Sequence, residues 1–341
     1  MLPQLLGSSI FVVIAVITFY YARKSRNQPD KAGKFFTNEV LIGVLYILTA
    51  ILYPFFYGGT GISPETETTM YWISLLVWSV EITIFIVNIL VEKGKCKRNP
   101  QLLVDRDYEC VKTAYRTNYR YDVKKDFKRK ALHLLAVLVI VIAWEMSRIL
   151  DSFGALPLGM TDHPFAFYRW MVNTIGFAFI IMFAIGDLVR LMYNTCLPPW
   201  AATWFTSSIK EDELVTFSAT APLVLGLVPF LFAPYQLFLS VALITSLADA
   251  AASLVGKQFG KHHLSATSKK TFEGLFAGAV AAFTIVALAM GTLVSITIAL
   301  SMAAIATSLF VLVDIFTKKL SDNIVNSLAC GTGLVIVFLL V

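Results

Sequence analysis

The chain has 341 residues, 57% of them hydrophobic, with a mean hydropathy of +0.72 and a formal net charge of +6. Apolar runs of about 20 residues, repeated along the chain, exclude a water-soluble core and predict an all-α, polytopic transmembrane helical bundle. The positive charge lies along one membrane face rather than in a basic soluble domain, which excludes nucleic acid and favours anionic lipid headgroups and a phosphorylated small molecule as partners.

Predicted spans run over 5–21, 40–56, 71–91, 132–149, 165–192, 214–232, 235–255, 272–290, 292–313 and 324–341, about ten in all. All but two of the 28 basic residues fall in the joints at 22–39, 93–130, 190–213, 256–271 and 314–323, while the intervening joints hold none. Cytoplasmic loops retain positive charge, so both termini are expected on the non-cytoplasmic side. The two exceptions, Arg148 and Arg169, stand near span ends, where a long side chain snorkels to the interface. Cys96, Cys110, Cys196 and Cys330 show no CxxC spacing and read as reduced thiols. The first span is preceded by no basic residues and lacks a clear small-residue cleavage site, and reads as a retained helix.

Three regions follow from this pattern. Residues 1–92 form a three-span region of unassigned role. Residues 93–130 form a basic cytoplasmic linker, carrying Tyr108, Tyr115, Tyr119 and Tyr121, that lies on acidic lipid or folds as an interfacial helix. Residues 131–341 hold seven spans and most of the candidate chemistry.

Four polar clusters fall on the predicted cytoplasmic side. The first is Lys128, Arg129, Lys130 and His133 in FKRKALHLL, where Arg129 and His133 share a helical face. The second, Asp187 and Arg190, is spaced as a pair on one face, suited equally to an internal salt bridge or a ligand. The third surrounds Asp249, an ionisable residue inside a span and therefore a site hypothesis by default. Small residues recur every fourth position at Ala248, Ala252, Gly256 and Gly260, a stripe that lets another helix come close.

The loop that follows carries Lys261, His262, His263, Lys269, Lys270, Thr271, Glu273 and Gly274. Glycines near a helix end, followed by hydroxyls and lysines, suit a backbone cradle for a polyphosphate, although no P-loop pattern occurs. Glu273 opens the next span, where it pairs with a lysine, caps the helix or holds a metal. His262 and His263 lack a third ligand at metal spacing and read as interfacial. The fourth cluster, Asp322 and Asn323, opens the last span and is also explained as an N-cap. Glu81, Glu145 and Arg148 lie elsewhere in the spans, the last two spaced to satisfy each other.

From about residue 127 onward the chain resembles the dolichol kinase and phytol kinase family, which includes CTP-dependent diacylglycerol kinases. The resemblance rests on Asp249, Ala252, Gly256 and Gly260, then Lys269, Lys270, Thr271, Glu273 and Gly274. Arg129, Lys130 and His133 look like the family's upstream basic motif, and SDNIVNSLACG looks like its last-span DN motif. Ala248 departs from the pattern, since many members have glycine there.

The resemblance implies transfer of the gamma-phosphoryl group of CTP to a polyprenol such as dolichol. It implies Asp249, Lys270, Arg129 and Lys130 as catalytic residues, and Gly256, Gly260, Lys269, Thr271, Glu273, Gly274 and His133 as the nucleotide-binding set. Asp249 and Glu273 are the implied ligands of Mg²⁺ or another divalent cation. The expected setting is a multi-pass membrane protein with a cytoplasmic active face, in a prokaryotic plasma membrane or a eukaryotic endoplasmic reticulum. Phytol, another isoprenoid alcohol or diacylglycerol as acceptor, a CTP-dependent cytidylyltransferase and a transporter are the competing readings.

Overall fold

A helix rises 1.5 Å per residue, so roughly 20 apolar residues are needed to cross a hydrocarbon layer about 30 Å thick. Among the described residues nine helices meet that requirement: Leu2–Ser25, Phe36–Phe55, Pro64–Arg98, Arg129–Ser152, Pro164–Cys196, Tyr235–Phe259, Phe272–Met290, Ile296–Phe316 and Asp322–Leu340. The protein is an all-α polytopic helical bundle. The structure, a computed structural model, describes residues 1–28, 31, 35–118, 123–160, 163–264, 270–317 and 320–341, with the side chains of 118 and 123–128 left aside. Lys269, Tyr119 and Tyr121 lie outside the described residues, as does the side chain of Lys128.

In chain order the helices are α1 (Leu2–Ser25), α2 (Phe36–Leu52), α3 (Pro64–Arg98), α4 (Gln101–Asp105), α5 (Tyr108–Asn118), α6 (Val123–Ser152) and α7 (Pro164–Tyr193). They continue as α8 (Pro199–Ser208), α9 (Thr220–Leu227), α10 (Tyr235–Leu243), α11 (Asp249–Phe259), α12 (Phe272–Met290), α13 (Ile296–Phe316) and α14 (Asp322–Leu340). A π-helical turn, Ile244–Ala248, joins α10 to α11.

The span expected over 214–232 takes a different form. It is the short α9 followed by a 3₁₀ turn, Val228–Phe230, an apolar helical stretch too short to cross by itself. The reason is in its prolines: Pro222 is tolerated only in the first helical turn, while Pro229 and Pro234 remove backbone donors and stop the helix. The basic linker over 93–130 is largely helical, because α3 runs on to Arg98 and is followed by α4, α5 and the first turns of α6.

The chain divides into two compact units that interleave along the sequence. The amino-terminal unit comprises Met1–Ala131 and Met146–Val224, and the carboxy-terminal unit comprises Leu132–Glu145 and Leu225–Val341. Residues 146–224, grouped by sequence order with the later spans, pack with the first three helices.

In the amino-terminal unit the core is aromatic. Phe11, Tyr53, Phe56, Trp78 and Phe177 stack with ring centroids 5.0–6.1 Å apart. Gly7 makes room for it, since a Cβ at that position would fall inside the Tyr53 ring.

A buried ionic network holds the segment 213–218 against this unit. Arg190 pairs with Asp187 at 2.7 Å and donates also to the carbonyls of Glu213 and Thr216 and to the Tyr108 hydroxyl. Asp187 Oδ2 accepts from the Ser218 backbone at 2.9 Å and from its hydroxyl at 2.7 Å. A second buried pair, Lys31 with Glu39, joins through Thr216, whose hydroxyl donates to Glu39. Burial pushes the Lys31 ammonium below its ordinary value, and Glu39 opposes that shift.

Removing one partner of a buried pair leaves an uncompensated charge and costs about 3–5 kcal/mol, whereas an apolar replacement of both costs far less. Asp187→Ala is therefore expected to lower the apparent Tm in detergent much more than the double variant Asp187→Leu/Arg190→Leu. Thermal unfolding monitored by near-UV circular dichroism measures the difference.

Candidate active site

The candidate site is built in the carboxy-terminal unit, beginning at the π-helical turn. Thr245 donates its hydroxyl to the Val241 carbonyl at 2.8 Å, and Ser246 donates to the Ala242 carbonyl at 2.6 Å. Such bonds to a carbonyl four residues back compete with the backbone ladder and loosen it. The Asp249 amide accordingly reaches the Ile244 carbonyl, five residues back. Asp249 follows directly and is 9% exposed. Single π turns of this kind occur mostly at functional positions, where they re-aim one side chain.

Past Asp249, α11 meets α12 backbone to backbone. A Cβ on Gly274 would lie 2.5 Å from the Ala252 carbonyl and 2.9 Å from Gly256 Cα, and one on Gly278 would lie 2.8 Å from Ala252 Cβ. Neither helix has room for a methyl group there. Thr271 caps α12, its Oγ1 accepting from the Gly274 amide at 3.3 Å, and the same hydroxyl borders Gly256 and Gly260. Gly256, Gly260, Thr271 and Gly274 thus form one close helix–helix contact, and the stripe of small residues is its seam.

The connecting loop closes as a short hairpin. His263 bridges Thr271, the Leu264 amide donates to the Lys270 carbonyl at 3.0 Å, and the Phe272 amide donates to the His262 carbonyl at 2.9 Å. Glu273 meets His262 Nδ1 at 2.7 Å and accepts weakly from the His262 amide. His262, read from sequence as a plain interfacial residue, is therefore part of the loop closure. The Glu273 carboxylate is engaged by His262, and Asp249 stands seven residues, roughly 10 Å, along α11 from Gly256, the level at which Gly274 packs. Glu273 thereby takes part in closing the loop.

Lys270 points the other way, toward α13. Its Nζ lies 2.6 Å from Asp314 Oδ1 and 2.8 Å from the Asp314 carbonyl. Asp314 also lies within electrostatic range of Asp249 and Asp322. Sequence reasoning missed Asp314, yet a signal existed: a carboxylate in the last turn of a helix opposes the helix dipole and calls for a cation.

The last helix lies against this turn with the Thr245 and Ser327 hydroxyl oxygens 3.0 Å apart, and Ser327 donates to the Asn323 carbonyl at 2.7 Å. Since α11 and α14 run in opposite directions, one turn from that contact along each helix brings Asn323 and Asp249 to the same level. Ser321 is the N-cap of α14, and Asp322 accepts from the Asn323 amide at 3.1 Å.

The unit thus gathers Asp249, Lys270, Asp314, Asp322 and Asn323. His133 belongs to the same unit and is buried. Arg129 and Lys130 are buried in the amino-terminal unit, where Arg129 lies within electrostatic range of Glu213, and the role given them rests on sequence alone. Asp187 and Arg190 are saturated by the network described above, which settles that pair as an internal salt bridge. Among the described residues no three of His, Cys, Asp and Glu are grouped to hold a metal ion. Mg²⁺ asks for less, one or two carboxylates completed by water and substrate phosphate oxygens, and Asp249, Asp314 and Asp322 are donors of that type.

Compared with family models, with curated proteins and with solved structures, the chain finds no match in any of the three.

The seam between α11 and α12 sets the position of Lys270. Gly274→Ala forces a methyl group against backbone and is expected to destabilise by about 1–3 kcal/mol. Gly94→Ala, in α3 with open space around it, is expected to stabilise by about 1 kcal/mol. Opposite shifts in apparent Tm, measured side by side, check the close contact.

Proposed function

We propose that the carboxy-terminal unit is a lipid kinase site that transfers the gamma-phosphoryl group of CTP to a polyprenol such as dolichol. The observation that supports this most is Lys270 held at Asp314, which lies within electrostatic range of Asp249 and Asp322, where a helix emerges from the apolar layer. A triphosphate needs a cation that exchanges partners, and an alcohol needs a carboxylate to take its proton.

Each residue has a step in this reading. Lys270 exchanges Asp314 for the phosphate oxygens and positions the triphosphate as a point charge. Asp314 and Asp322 are the carboxylates that would hold Mg²⁺, which when bound would supply positive charge against the phosphates. Asp249 receives the hydroxyl proton as the alcohol oxygen bonds to the gamma phosphorus. The bond from that phosphorus to the bridging oxygen breaks, and its electron pair leaves with CDP. Positioning and charge neutralisation carry most of the rate in phosphoryl transfer, so a single misplaced cation is costly.

The identity of the nucleotide and of the alcohol comes from the resemblance carried by Asp249 to Gly274, not from the pocket walls. The active face is assigned to the cytoplasm because Lys270 and the joint before Asp322 lie in the lysine-rich loops.

Purified protein in nanodiscs, given polyprenol, Mg²⁺ and CTP labelled at the gamma position, is expected to yield labelled lipid and CDP. Asp249→Asn and Lys270→Met are each expected to lower the rate about 10²–10³-fold while membrane insertion is retained. Release of pyrophosphate and capture of label from the alpha position would assign a cytidylyltransferase instead. Vesicle uptake without nucleotide turnover would assign a transporter.

A further inference from the structure

Asn326 lies one turn along α14 from Asn323 and beside Ser327, on the face of that helix buried in the carboxy-terminal unit. It is 1% exposed, and its Oδ1 has no hydrogen-bond partner. Nearly all buried carbonyl oxygens in folded proteins are paired, because an unpaired one has lost water and gained nothing. Inside an apolar layer the penalty is larger still. An oxygen in that condition is a docking point for a donor.

Its depth says which donor. The contact between Thr245 and Ser327 brings Asn323 to the level of Asp249, and Asn326 stands one turn, roughly 4.5 Å, farther toward the middle of the span. Lys270 and Asp314 mark the aqueous end. A triphosphate comes from that end, and its phosphate oxygens only accept hydrogen bonds. A lipid alcohol comes from the apolar side and brings one donor, its O–H.

We propose that Asn326 Oδ1 docks the hydroxyl of the lipid alcohol, making Asn326 the positioning residue that distinguishes an alcohol from a lipid without one. This rests on the kinase reading above and deepens it. On docking, the hydroxyl donates to Asn326, one turn from Asp249. As the oxygen bonds to phosphorus, the proton passes to Asp249, and Asn326 ends the cycle unchanged. A site that hydrogen-bonds a substrate hydroxyl rejects the analogue lacking it, since its own polar atom is otherwise stranded.

The test uses full-length protein in nanodiscs with CTP and a polyprenol. Asn326→Leu is expected to raise KM for the alcohol about 5–10-fold, the loss of one hydrogen bond, with KM for CTP unchanged. Asn326→Asp, which keeps an acceptor oxygen, is expected to retain most of the alcohol affinity. In the wild type the methyl ether of the alcohol, which cannot donate, is expected to compete at least about fivefold more weakly than the alcohol.

An active wild type in which Asn326→Leu leaves alcohol KM unchanged and raises the apparent Tm overturns the inference, because the oxygen is then only an unsatisfied group. Equal competition by ether and alcohol overturns it too, and needs no variant. A wild type that phosphorylates no alcohol under any condition ends the kinase reading itself, a result separate from an active enzyme indifferent to Asn326.

Discussion

The seam of small residues between α11 and α12 decides where the charges of the carboxy-terminal unit stand. Lipid gives no hydrophobic reward for bringing apolar helices together, so association rests on close packing and on polar contacts. Gly274 against the Ala252 carbonyl and Gly256 supplies that packing at backbone distance. The close approach shortens the path between the helices, so the connecting loop folds back on itself through His263 and Thr271. With the loop pinned, Lys270 is delivered to Asp314 and Glu273 is turned to His262. Phosphate-cradling glycines and helix-packing glycines are often set against each other as explanations. Here the packing itself carries the lysine to its carboxylate.

Two kinds of ion pair coexist in the protein, and their surroundings separate structure from chemistry. Arg190 and Asp187 are 2% and 0% exposed, and every group around them is spent on carbonyls, hydroxyls or each other. Burying two charges is costly, and that saturation is what offsets it. A ligand would have to dismantle the network to enter. Lys270 and Asp314 are 36% and 10% exposed, so water reaches the lysine and the pair opens at small cost. A phosphate competes with the second arrangement and not with the first.

Much of this was legible in the sequence, for definite reasons. Apolar length gave the helical bundle, because the length of a span follows from the bilayer as a solvent. The stripe through Ala252, Gly256 and Gly260 was legible because a period of four is visible without any partner. Four features were not. The stretch 214–232 has the composition of a span, but its prolines outweigh its hydropathy. Asp314 is a single carboxylate whose meaning depends on Lys270, forty-four residues earlier in the chain. The π turn before Asp249 arises from two hydroxyls bonding backward, and Ser and Thr residues in helices do that without producing such a turn. Nor does a linear pattern reveal that residues 146–224 pack with the first three helices.

The depth of the polar groups is the remaining constraint. A reaction between a soluble triphosphate and a lipid alcohol must be run where the two solvents meet, since neither substrate crosses into the other's. Asp249 lies ten residues from the end of α11, whereas Lys270 directly precedes the cap of α12, so the two charged groups are staggered in depth. The stagger matters energetically. A lysine that water reaches keeps part of its hydration, while a carboxylate withdrawn from water needs polar surroundings to offset what it has lost. Asp249, at the end of the π turn and 9% exposed, stands on the withdrawn side of that division, and Lys270, 36% exposed and paired with Asp314, stands on the wet side.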